Sequence, residues 1–246
     1  MKIKFLILLL FISSYAISQE FYGKAIYRTS SKVKAKIDTT VSNYKEKEKA
    51  INAIMQKRYQ KKYILRFNRY ESIYKEDEKL KSPSQSSISA GNTMVASVAK
   101  GTKSGITYRN LKENRMTMRT EAFGKLFLIK DPLSKIDWEL TGETKSIGNY
   151  TCYEAKYTRK EDGLLVTAWY TPQIPISTGP DKFWGLPGLI LEIRYGKGTI
   201  ILCTEIELNP DNKVKIIEPT RGKKITGVKF NEMYAIKYKE LERKGF

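Results

Sequence analysis

Between residues 106 and 208 the chain breaks into short runs of strand-forming residues with turn residues between them. The runs fall at 106–110, 115–121, 125–129, 136–140, 150–158, 164–171, 188–195 and 199–208, with turns at Gly142, Gly148 and Asp162-Gly163. Connections this short favour antiparallel pairing, because a parallel pair needs a crossover of roughly a dozen residues. The clearest unit is the hairpin of 188–195 and 199–208. Its turn, Gly196-Lys197-Gly198, tolerates positive φ. Earlier runs at 21–29, 62–68 and 71–74 extend the same sheet.

Two stretches carry a helical period instead. From 40 to 63, Tyr44, Ile51, Met55 and Tyr59 recur at helical spacing behind the capping candidates Asp38-Thr39-Thr40. From 230 to 241, Phe230, Tyr234, Tyr238 and Leu241 share one face. Residues 81–104, rich in Ser, Gly and Ala, read as a mobile loop within one domain. The expectation is a single α+β domain over 19–246. Its antiparallel sheet, free to curve toward a half-barrel, is covered by two amphipathic helices.

Residues 1–18 predict a secretory signal peptide. Lys2 and Lys4 precede an apolar run over 5–11, and Ala16-Ile17-Ser18 supplies small residues at the boundary. The predicted location is the periplasm or the cell exterior, with no transmembrane segment in the mature chain. In such a compartment Cys152 and Cys203, both in strand-like runs, predict one disulfide.

Composition excludes several chemistries. There is no histidine, so neither a Ser-His-Asp triad nor an imidazole metal site exists, and two cysteines cannot build a thiolate zinc site. No metal and no cofactor are expected. The formal charge of +19 comes mostly from lysines scattered beside acids, as in 44–49, which reads as a solvated surface and not as a nucleic-acid footprint. Glu205 and Glu207 share a strand face that Glu154 would neighbour, a remote basis for a carboxylate hydrolase.

One segment is specific. Residues 183–195 contain Gly185-Leu186-Pro187-Gly188-Leu189-Ile190, preceded by Trp138-Glu139-Leu140-Thr141, Lys145-Ser146-Ile147-Gly148-Asn149-Tyr150-Thr151-Cys152 and Ala168-Trp169-Tyr170-Thr171-Pro172. In these residues the chain resembles the GLPGLI family, most strongly over 136–195. The resemblance implies an exported protein of a Bacteroidetes-type bacterium, and carries over no activity and no catalytic residue. Read physically, Pro187 and Gly188 suit the two central positions of a type II turn over Leu186–Leu189. That turn, Gly185, Leu186, Pro187 and Gly188, would be a structural corner feeding a core strand. Trp169, Tyr170, Phe183 and Trp184 flank the proline-rich loop 172–180 and are the candidate lining of an apolar ligand cleft. The functional expectation is an exported, non-catalytic binding protein carrying an apolar or lipid-like molecule. The alternative is a module that docks an outer-membrane partner protein.

Overall fold

The computed structural model describes residues 21–30, 43, 45–46, 49, 61–77, 89–90, 93–94, 103–160, 162–196, 198–212 and 215–243. The strands in chain order are β1 (Tyr22–Ser30), β2 (Lys62–Asn68), β3 (Glu71–Glu76), β4 (Ser89–Ala90), β5 (Thr93–Met94), β6 (Lys103–Asn110) and β7 (Arg115–Ala122). They continue as β8 (Lys125–Pro132), β9 (Glu139–Ile147), β10 (Tyr150–Thr158), β11 (Leu165–Thr171), β12 (Leu189–Tyr195), β13 (Thr199–Leu208) and β14 (Lys223–Ile225). One helix, α1 (Gly227–Arg243), follows.

Twelve strands form one sheet in the order β14-β8-β7-β6-β3-β2-β1-β13-β12-β11-β10-β9, while β4 and β5 make a separate ribbon. Two meanders, β1 to β8 and β9 to β13, are joined where β1 pairs antiparallel with β13. β14 runs parallel to β8, so the sheet is mixed.

This overturns the expected α+β class. The protein is β-rich, and α1 is the one helix described over its whole length. The helix expected over 40–63 lies largely outside them: Lys45, Glu46 and Lys49 are described and helical, while its last two residues, Lys62 and Tyr63, belong to β2. Most of the loop expected over 81–104 also lies outside them, with Lys103 and Ser104 in β6. The signal segment 1–18 lies outside them as well.

The sheet must curl. Laid flat, ten strand spacings would hold β8 about 48 Å from β9. The six residues 133–138 that join these strands reach about 25 Å at full extension. Inside the curl one row of cross-strand partners runs Ala25, Leu65, Tyr74, Thr107, Met118 and Ile129 over six strands. Ala25, Leu65 and Tyr74 share a core with Ala155, Val166, Ala168 and Ile193 of the second meander. The space between is filled by the chain from 172 to 188, whose Ile174, Ile176, Phe183 and Leu186 are buried in that core. At the far end α1 lays Phe230, Met233 and Tyr234 on Phe127, Ile129 and Ala122. Its start is held by Asp131, whose carboxylate accepts the Gly227 N–H at 3.0 and 3.1 Å.

Candidate functional site: a cationic groove on the outer face

The 172–188 segment is built from tight turns. The Ile176 N–H donates to Ile174 O, Thr178 N–H to Ile176 O, and Gly188 N–H to Leu186 O, each at 2.8 Å. These are three-residue turns, centred on Pro175, Ser177 and Pro187. The fixed φ of proline near −65° suits that central position. The type II turn expected over Leu186–Leu189 is therefore replaced. The Leu189 N–H, which would close it on Leu186, donates instead to Ile174 O at 2.9 Å. Gly188 has φ 159°, far from the value near +80° that the third position of a type II turn requires. Glycine is needed there for another reason: a Cβ would stand 2.1 Å from the Thr171 carbonyl oxygen.

A buried cation ties this segment to the sheet. Arg109 on β6 is fully buried, and its Nη1 donates to the Gly179 carbonyl (3.3 Å), Ser72 Oγ (3.4 Å) and Thr178 Oγ1 (3.5 Å). No carboxylate pairs with it among the described residues, and Nε and Nη2 have no hydrogen-bond partner. Burial drives its pKa down to about 10, against the opposing pull of Asp181, Tyr27 and Tyr74.

Of the four aromatic candidates, Tyr170 and Phe183 belong to the main buried cluster and Trp169 packs against it. Phe183 is buried in the core, its ring 6.0 Å from Tyr195. Tyr170 is buried against Tyr153. Trp184 accepts the Trp138 indole N–H on its backbone oxygen at 2.8 Å. Trp169 lies opposite Glu154 and Glu192, with the Lys145 ammonium 4.2 Å from its ring centre. The same ammonium pairs with Glu192 at 2.8 Å. The carboxylates do not gather either. Glu154 is held by Lys156 (2.7 Å) and the Thr141 hydroxyl (2.9 Å), three strands from Glu205 and Glu207. Glu207 pairs with Lys24 at 3.2 Å. Cys152 and Cys203 lie in the same buried cluster as free thiols, with no bond between them in this structure.

The outer face of the first meander gathers what sequence reasoning missed. Its central row of cross-strand partners runs Lys24, Arg66, Ile73, Tyr108, Thr117 and Lys130. Residues 215–221 cross this face as a strap between β13 and β14. Glu218 pins the strap, its carboxylate accepting from Thr117 Oγ1 (2.7 Å), Arg115 Nη2 (2.9 Å) and Lys130 Nζ (3.0 Å). Between strap and strands lies a groove of about 360 Å³. Its cations are Arg66, Lys75, Arg119, Lys215 and Arg221, and its apolar lining is Ile73, Ile106, Ile217 and Pro219. The one acid in the lining, Glu218, already serves three donors. Among the described residues none of the five cations has an ion-pair partner. Concentrated positive charge with an apolar floor is chemically suited to an anion that also carries apolar surface.

Among the described residues no cluster of carboxylates and thiols could hold a metal ion, and no helix is long and apolar enough to cross a membrane. The family model described as "Protein of unknown function (Porph_ging)", a family of Bacteroidetes-type proteins, matches residues 160–192. That stretch is β11, the turn-rich segment and the start of β12. No curated protein matches the chain. Two solved structures share its fold, "Structure of PNGF-II in P21 space group" and "Structure of PNGF-II in C2 space group", each at 14% identity with TM-scores of 0.54 and 0.53. The match covers 87% of this chain but 33% and 32% of theirs, so the chain spans about a third of the length of the chains it resembles. It is a chain with a matched segment from a family of unknown function, set in a fold that it shares with part of PNGF-II.

Proposed function

We propose that the protein is an exported, non-catalytic binding protein that captures an anionic ligand in the groove under residues 215–221. The observation that carries this reading is the convergence on one cavity of about 360 Å³ of five cations that have no ion-pair partner among the described residues. A buried carrier cleft inside the curled sheet has less support, because Ile174, Ile176, Phe183 and Leu186 fill that volume. Docking of a protein strand on the open edge has less support too. β9 is polar and exposed along most of its length, with Glu139, Glu143 and Lys145, a composition that discourages edge pairing. The GLPGLI motif at 185–190 then serves as the corner that packs the core. The proposed setting is the periplasm or the cell exterior, on the strength of residues 1–18.

Native mass spectrometry tests the proposal on protein purified at low salt from its own envelope. The wild type is expected to carry a bound anion that the double variant Arg66→Glu/Arg119→Glu lacks, with both chains folded by circular dichroism. Bare protein in both samples, or a ligand retained by the charge-reversed variant, contradicts it.

A further inference from the structure

The groove's lining also restricts the chemistry of what it holds, an inference that rests on the reading of the groove as an anion site. None of its lining residues is aromatic, so it offers no ring on which a nucleobase or sugar could stack. What it offers is a repeated pairing of guanidinium and aliphatic side chains. Arg66 stands directly opposite Ile73 on the neighbouring strand, and Ile106 stands directly opposite Arg119. Directly opposed residues have Cβ atoms about 5 Å apart, so each charge has a branched aliphatic group within reach. The strap completes the apolar side with Ile217, a residue left 65% exposed. Guanidinium groups suit phosphate and carboxylate oxygens through paired N–H donors. A concavity of about 360 Å³ fits one small molecule rather than a polymer or a flat bilayer.

We propose that the groove binds a single-chain anionic amphiphile. Its phosphate or carboxylate head is held by Arg66 and Arg119, and its alkyl chain lies along Ile73, Ile106 and Ile217. Both halves of the ligand are required. The head confers orientation, and the chain supplies affinity in proportion to its buried methylenes.

The test is isothermal titration of the full chain, below micelle-forming concentrations, with decyl phosphate, octyl phosphate, inorganic phosphate and uncharged octyl glucoside. Decyl phosphate is expected to bind roughly fifteenfold more tightly than octyl phosphate, at about fourfold for each added methylene. Inorganic phosphate and octyl glucoside are expected to bind at least a hundredfold more weakly. Ile217→Ser, on the exposed strap and outside the core, should flatten the dependence on chain length while the fold is kept. Arg119→Ala should weaken both alkyl phosphates alike. Equal affinity for inorganic and decyl phosphate overturns the amphiphile assignment while leaving anion binding intact. Binding of octyl glucoside as tight as octyl phosphate overturns the head-group clamp. Association only with phosphatidylglycerol vesicles, and not with the monomeric probes, overturns it in favour of a membrane surface. Silence with every probe removes the amphiphile and the anion site together.

Discussion

The guanidinium of Arg109 donates to the backbone carbonyl of Gly179 at 3.3 Å, and this is how the first meander grips the turn-rich segment. A full positive charge is placed in the core with neutral acceptors only, which is costly. The same desolvation lowers its pKa to about 10, whereas ordinary arginine stays protonated far above that.

Replacement of Arg109 should therefore be mild for a fully buried residue. Arg109→Met removes the desolvation burden and leaves the Gly179 carbonyl without its donor, an opposing cost of about 1–3 kcal/mol. The two effects nearly cancel, and the expected change in unfolding free energy is about 1 kcal/mol or less. A urea midpoint implying a loss above about 3 kcal/mol contradicts this. The sign with pH follows. A base whose folded pKa is lowered is penalised while protonated, so wild type gains on Arg109→Met as pH rises through about 10.

Gly188 is the position in the motif least open to substitution. A Cβ there meets the Thr171 carbonyl oxygen at 2.1 Å and its carbon at 2.5 Å, both backbone atoms that cannot swing aside. Gly188→Ala should cost roughly 2–4 kcal/mol, as forced overpacking does, and Gly188→Val more. Pro187→Ala should cost about 1 kcal/mol or less, because it only frees a backbone angle. Urea unfolding ranks the three. A proline variant weaker than the alanine variant at 188 contradicts the steric account.

Glu218 sets the acid stability of the strap. Burial raises its pKa, but the Thr117 hydroxyl, the Lys130 ammonium and the Arg115 charge outweigh it and leave the pKa below the usual glutamate value. A carboxyl with a depressed folded pKa contributes stability above its unfolded pKa and loses it as pH falls through the folded one. Wild type should thus exceed Glu218→Gln by up to about 1 kcal/mol at neutral pH, discounted for solvent screening. The difference should vanish below the usual glutamate range. A constant difference down to pH 2 in thermal unfolding would show that the charge does not hold the strap.

The two thiols should be inert in the folded protein. Burial pushes Cys203 up to about 12 and Cys152 up to about 11, so neither forms the reactive thiolate at neutral pH. Iodoacetamide should modify neither in native protein and both after denaturation without reductant. No modification after denaturation would instead reveal a Cys152–Cys203 bond.

Much of the sheet was legible because half-buried strands alternate and end at turn residues. The runs 62–68, 150–158 and 199–208 coincide with β2, β10 and β13. β9 was caught only at its first residues, since an edge strand wetted along most of its length has no apolar alternation to read. The fold class failed at the helices. Only α1 is described over its whole length, starting behind Thr226, whose hydroxyl accepts the Lys229 N–H at 3.5 Å. In the motif, Pro187 and Gly188 marked a tight corner, but the partner of the Leu189 N–H is fifteen residues away at Ile174, beyond any local rule. The groove was invisible for a related reason. Arg66, Ile73 and Arg119 become neighbours only through strand register and Ile217 only through the strap, and each looks like one more basic or apolar residue in a lysine-rich chain. Arg109 follows the strand alternation of its neighbours, which says nothing about which face is dry.

The claim on which the account rests is that ligand is held on the outer face of the first meander and not within the curled sheet. Hydrogen–deuterium exchange with and without decyl phosphate measures this segment by segment. Slowed exchange is expected in β2, β3, β6 and β7 and in residues 215–221, with 172–188 unchanged. Protection confined to 172–188 and β11, with the strap unaffected, would contradict it and return the site to the interior.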